Sequence, residues 1–103
     1  MTADEFRRLA LAVPTSFEQS HMRHPDFRVA GKIFALLGVP DENWAMVKLA
    51  PDQQRAVIKK APKIFKPCPG AWGRRGYTNV YLPVAGVAVV REALDAAAKN
   101  ACL

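Results

Sequence analysis

Near the start of the chain, Phe6, Leu9, Ala10 and Val13 recur at i, i+3, i+4 and i+7. That spacing predicts one apolar stripe along a helix. The preceding Thr2-Ala3-Asp4-Glu5 has the form of a capping box, with Thr2 accepting from the Glu5 backbone and Glu5 reaching back. Arg7 and Arg8 fall off the stripe and read as solvated. Pro14 ends the helix, because proline disfavours helical geometry in the residue before it. The run SFEQSHM is a strand candidate. RHPD after it reads as a turn, with Pro25 rigid and Asp26 placed to bond the backbone of that turn. FRVAGKIFALLG then has the pattern of a hairpin. Phe27 and Val29 alternate with Arg28, Ala30-Gly31-Lys32 make the turn, and Ile33 to Leu37 return. After the turn cluster GVPDEN, WAMVKL predicts a further strand, and the strands form an antiparallel meander with one face against helices.

Pro51 opens a second helix at the position where its missing N–H costs nothing. Val57, Ile58 and Ala61 face inward, Arg55, Lys59 and Lys60 face out, and Pro62 stops it. KIFKPCPG reads as irregular, with Ile64 and Phe65 anchored to the core. YTNVYL is a β-rich run. Beyond Pro83, the stripe Val87, Val90, Leu94 and Ala97 marks a last helix, with Arg91–Asp95 and Asp95–Lys99 as i,i+4 pairs. The expected fold is α+β, in the order α-β-β-β-β-α-β-α. It is an antiparallel sheet of about four to five strands flanked by three helices.

With 103 residues, half of them hydrophobic, residues 1–103 form a single domain. Two cysteines, Cys68 and Cys102, are too few for a disulfide framework or a zinc cluster. The expectation is a cytoplasmic monomer without cofactor or metal. Asp4 and Glu5 stand where a signal peptide would be basic. LPVAGVAVV is too short to span a bilayer, so no membrane role is expected.

The net charge of +6 is unevenly placed. Residues 1–50 balance, whereas from Gln53 to Arg91 there are eight basic residues (Arg55, Lys59, Lys60, Lys63, Lys66, Arg74, Arg75, Arg91) and no acid. Such a segment favours phosphate or acidic partners; it is also what a solubilising surface looks like.

PGAWGRRGYTNV concentrates the candidate chemistry. Its glycines permit positive φ and close backbone approach, Arg74 and Arg75 carry forked donors suited to phosphate, and Trp72 could stack on a base. The competing reading buries Trp72 as a lid on the core, and a large ring among glycines favours it. If the two arginines lie in a strand, they point to opposite faces and only one joins a given patch. The segment is no P-loop, lacking the Gly-Lys-Ser/Thr ending. Arg28 and Lys32 flank the hairpin tip, where they can contact phosphates without reading sequence, and Lys48 can join either group. His21, His24 and Asp26 fit neither a helical His-x-x-x-His site nor a zinc knuckle. Cys68, between two prolines and near cations, is either an activated thiol or an unremarkable one.

HPDFRVAGKIFALLG and PGAWGRRGYTNVYL together resemble the MmcQ/YjbR family of small bacterial proteins. EFRRLALAVP and the proline-led middle helix fit the same pattern, so the likeness covers nearly the whole chain. The resemblance implies an antiparallel sheet flanked by helices, of the kind seen in CyaY-like and secretion chaperone-like shapes. It also implies DNA binding through a double wing of β-hairpins, with no established enzymatic activity.

The function expected from residues and resemblance together is non-enzymatic nucleic-acid binding, DNA first, mainly on phosphate. The contact residues would be Arg28, Lys32, Lys59, Lys60, Lys63, Trp72, Arg74 and Arg75. The alternative is a protein-interaction or chaperone-like adaptor using the sheet face or a strand edge. A third class, an enzyme centred on His24, Asp26 and the glycine segment, would need a pocket with convergent polar groups.

Overall fold

The computed structural model describes residues 1–21 and 23–103. Helix α1 (Ala3–Leu11) starts as its sequence requires. The Thr2 hydroxyl accepts from the Glu5 N–H, and the Glu5 carboxylate accepts from the Thr2 N–H, each at 3.1 Å. The bond from the Thr2 backbone N–H first, and then the Thr2 side chain, hold the Glu5 carboxyl below its ordinary range. Four strands follow: β1 (Phe17–His21), β2 (His24–Val29), β3 (Lys32–Leu37) and β4 (Trp44–Lys48). Then come α2 (Pro51–Lys60), β5 (Phe65–Pro67), α3 (Gly70–Arg74), β6 (Tyr77–Tyr81), a 3₁₀ turn at Leu82–Val84, and α4 (Val87–Ala101). The six strands form one antiparallel sheet in the order β1-β2-β3-β4-β6-β5.

Alternation along the strands sorts residues between two environments. Phe27, Val29, Ala35, Leu37, Ala45, Val47, Thr78 and Val80 are buried on the face covered by α1, α2 and α4. Phe6 of α1 meets Phe27 edge to face at 6.2 Å between centroids, and Val90, Leu94 and Ala97 of α4 close the same core. Each large side chain so enclosed contributes about 1.5–3 kcal/mol. A bulge on β3 shifts the register, since Phe27 pairs with Ala35 and Arg28 with Ile33. Phe34 is the extra residue, and this lets it join the core beside Ala35. The β2–β3 turn places Ala30 and Gly31 both at positive φ (54° and 76°), the geometry that matches strand twist in a two-residue hairpin.

The architecture is the expected α+β class with more parts. There are six strands and four α-helices among the described residues, against the four to five and three read from sequence. Four local readings change. The hairpin turn is Ala30-Gly31 alone, because Lys32 already belongs to β3 and pairs with Val29. RHPD is not a turn beyond Arg23: His24 to Asp26 belong to β2. Pro25 is tolerated because β3 pairs with β2 only from Asp26 onward, so no ladder hydrogen bond on that side is lost. KIFKPCPG contains β5, three residues long and proline-ended, which is enough to pair Phe65 with Val80. The glycine segment is a short helix, α3, and not a strand.

Candidate functional site

Among the described residues, the other face of the sheet carries no long helix. On the β4–β6 ladder, Trp44 pairs with Tyr81, Met46 with Asn79 and Lys48 with Tyr77. All six belong to this open face, because their sequence neighbours fill the core. Gln19, Asp26, Leu36, Met46, Asn79 and Lys66 stand in one row across all six strands. Met46 is buried without belonging to the helix-side core; it floors a hollow on the open side.

The wall of that hollow is α3, held by three close fits. A Cβ on Gly73 would overlap the Cys68 carbonyl oxygen and lie 3.0 Å from its carbon. Gly76 sits at φ 103°, where a Cβ would lie 2.5 Å from the Ala50 carbonyl carbon and 2.8 Å from the Pro51 nitrogen. Both glycines therefore answer to close approach of backbone. From α2, the buried Gln54 amide donates to the Gly73 carbonyl at 3.1 Å and to the Tyr77 carbonyl at 3.0 Å. These contacts turn Trp72 onto the open face, where it stacks on Tyr77 with centroids 5.3 Å apart and planes 13° apart. The Arg75 guanidinium lies 5.1 Å from the Trp72 ring centroid, and the Lys48 ammonium 5.1 Å from that of Tyr77. Both are cation–π distances.

Trp72 is 56% exposed, so it lies open at the surface and is not the lid that its glycine neighbours suggested. The hollow beside it has a volume of about 630 Å³ and is bounded by Leu36, Val39, Pro40, Met46, Asn79 and Cys68 along with Lys48, Trp72 and Tyr77. Lys48 and Tyr77 also border a second hollow of about 670 Å³ toward the hairpin tip, shared with Arg28 and Lys32. A third, of about 220 Å³, lies at the opposite end of the ladder between Trp44, Tyr81, Lys63 and Lys66. There Trp44 and Tyr81 touch with centroids 4.9 Å apart.

The expected cations divide. Lys48, Lys63, Lys66 and Arg75 border the open face, and Arg74 ends α3 in solvent. Lys59 and Lys60 do not join them. They are exposed on α2, in the helix layer, where Lys60 pairs with Glu92 of α4 at 3.0 Å. Arg55 and Arg91 are exposed on those same helices. Arg28 is on the open face but engaged, forking onto the fully buried Asp26 through Nε (2.9 Å) and Nη2 (3.2 Å). Lys32 donates to the Leu103 oxygen at 3.3 Å. The expected contact set is therefore corrected at Lys59 and Lys60, which the sheet separates from Lys63, Arg74 and Arg75.

The other candidates are also placed. Asp26 serves Arg28 rather than its own turn. His24 is half-buried, with Nδ1 facing the backbone of Gly38, and the His21 side chain lies outside the described residues. Among the described residues, no group of three or more His, Cys, Asp or Glu could hold a metal ion. Cys68 is half-buried and donates its thiol to Asn79 Oδ1 at 3.2 Å. Burial pushes that thiol up to about 11, which removes the activated-thiol reading. Among the described residues no helix is long and apolar enough to cross a membrane. Trp44, Lys66, Asn79 and Tyr81 were missed as site residues. The alternation in WAMVK and YTNVY is the signal that places them on one face.

Comparison with known proteins adds a family to this geometry. No curated protein matches the chain. Among solved structures, the crystal structure of Deinococcus radiodurans protein DR2400, a DUF419 domain, is similar at a TM-score of 0.73. The identity is 18%, over 93% of this chain and 75% of that one, so the likeness is one of fold. The YjbR family model matches residues 11–97, from the end of α1 to within α4, taking in the whole sheet and the Trp72 segment. On that match the chain belongs to the YjbR family.

Proposed function

We propose that this chain binds nucleic acid through the open face of its sheet, without a chemical step. Contacts are mainly to phosphate, with at least one unpaired base stacked on Trp72. The observation that carries the reading is the exposure of Trp72 beside Tyr77, Arg75 and Lys48. An indole exposed to this extent keeps an apolar area in water that a base would cover. Stacking of a base on an aromatic ring is worth about 1–3 kcal/mol. Arg75 is the adaptable part, since a guanidinium plane can stack on a base or turn to a phosphate. Among the described residues no long helix lies on this face to project base-reading side chains, so little sequence preference is expected.

The test is a titration of labelled single-stranded and duplex DNA at low and moderate salt, repeated with Trp72→Ala and with Arg74→Ala/Arg75→Ala. Trp72→Ala should lose about 1–3 kcal/mol of single-strand affinity, and the double variant should lower the salt slope by about 0.7 through the loss of Arg75. No binding of either form at low salt removes the reading.

A second reading has its own observation. The floor of the Trp72 hollow is apolar, from Leu36, Val39, Pro40 and Met46, and it would accept a hydrophobic side chain of a protein partner. Binding of that kind depends weakly on salt.

A further inference from the structure

We infer that the open face seats a single strand at two aromatic platforms, Trp72/Tyr77 and Trp44/Tyr81, so that the ligand is a single-stranded segment of about four nucleotides. The inference rests on the preceding reading and extends it to a strand class and a length. Tyr77 and Tyr81 lie four residues apart on β6 and point to the same face. At a rise of about 3.3 Å per residue they are separated by about 13 Å. Each platform is a pair of rings in contact: Trp72 and Tyr77 are stacked with centroids 5.3 Å apart, and the half-buried Trp44 and Tyr81 are tilted by 48° with centroids 4.9 Å apart. Each has two cations beside it, Lys48 and Arg75 at the first and Lys63 and Lys66 at the second. Among the described residues no carboxylate side chain lines either hollow, so nothing there repels a phosphodiester chain.

The spacing decides the ligand. About 13 Å is roughly four steps of a strand at 3.4 Å per nucleotide, and fewer where the strand is stretched. One strand can therefore place two bases on the two platforms while its phosphates pass the four cations. A duplex cannot, because its base faces are closed inside the stack. Between the platforms lie Met46 and Asn79. The Cys68 thiol occupies the Asn79 oxygen, which leaves the amide N–H groups as the polar donors at mid-strand. Strand recognition by stacking with little sequence preference is the expected behaviour of such a surface.

The chain's two tryptophans are the two reporters. In Trp72→Phe the fluorescence comes from Trp44, and in Trp44→Phe it comes from Trp72. Each variant is titrated with thymidine or uridine oligomers of about two and about eight residues, and with a duplex of the longer length. The longer single strand should quench both reporters, and the dinucleotide should quench one. Lys63→Gln/Lys66→Gln, both exposed positions, should weaken the longer strand and lower its salt slope by about 1.4. Quenching of Trp72 alone by the longer strand overturns the two-platform inference and leaves the preceding reading standing. So does an unchanged salt slope in the lysine variant. A duplex that quenches both reporters as well as the single strand also overturns it. Quenching of neither reporter by any oligomer overturns both.

Discussion

Gly73→Ala puts the architecture of the Trp72 wall to the sharpest test. Gly73 lies inside α3, where propensity alone predicts that alanine stabilises by up to about 1 kcal/mol. The surroundings predict the opposite sign. The added methyl would overlap the Cys68 carbonyl oxygen, with the Cys68 carbon at 3.0 Å and its nitrogen at 3.3 Å. All three are backbone atoms, so no rotamer change relieves the overlap, and α3 must move away from the Cys68 strand end. Overpacking of this kind costs about 1–3 kcal/mol. The displacement also strains the bond from the Gln54 amide to the Gly73 carbonyl, worth about 1 kcal/mol more. A net loss of about 2 kcal/mol is expected, read as a lower midpoint in urea at unchanged slope. Ala71→Gly in the same helix is the control, and should lose about 0.5–1 kcal/mol through propensity alone. If Gly73→Ala were as stable as the parent, the wall would not be packed as described, and the placement of Trp72 would lose its cause. Where Gly73→Ala remains folded, single-strand binding should also fall, because α3 carries the platform.

Two further variants test buried groups next to the site. Asp26→Asn leaves the Arg28 fork facing an amide. Because Arg28 keeps some access to water, the expected loss is that of a charged hydrogen bond, about 1.5–3 kcal/mol, and not the larger penalty of a fully enclosed pair; a change below about 0.5 kcal/mol in urea unfolding would refute the pairing. The Cys68 thiol, raised by burial from 9.0 to about 11, should react slowly with iodoacetamide at neutral pH while the exposed Cys102 reacts first. The linkage follows the same direction. A thiol whose folded value lies above its unfolded one contributes stability in full below pH 9, and this is lost as pH rises to about 11. The parent should therefore lose more stability than Cys68→Ala between pH 8 and 10.5.

The elements with a clean period were legible in the sequence. The α1 stripe, the β2–β3 hairpin, β4, β6 and the buried part of α4 stand where alternation and helical spacing put them. The misreadings share a physical cause, which is tertiary contact overriding local propensity. α3 is helical despite Gly70 and Gly73 because the Cys68 carbonyl and Gln54 demand close approach there. β5 is too short and proline-rich to show a period, and pairing with β6 creates it. Pro25 suggested a turn because nothing local tells that one side of β2 is unpaired at that position. For the site, residue types were readable and their faces were less so. Arg28 looked free because its partner Asp26 was assigned to a turn. Trp72 looked buried because the glycines beside it serve neighbouring backbone instead of the ring.

Charge shows why sequence position misleads about binding. The eight cations between Gln53 and Arg91 follow one another in sequence with no acid among them, yet Arg55, Lys59, Lys60 and Arg91 belong to helices on the far side of the sheet. A helix layer alone is about 10 Å thick, and the Debye length at physiological salt is about 8 Å. A strand on the open face is therefore screened from those four. It meets Lys48, Lys63, Lys66 and Arg75, which is a release of about four counterions and a salt slope of about −2.8 for a single strand. Were all eight late cations engaged, the slope would be about −5.6. Neutralising Lys59 and Lys60 together should leave the slope unchanged, whereas neutralising Lys63 and Lys66 should lower it by half. A slope near the larger value, or a loss on removing Lys59 and Lys60, would move the binding surface to the helices and refute the open-face assignment.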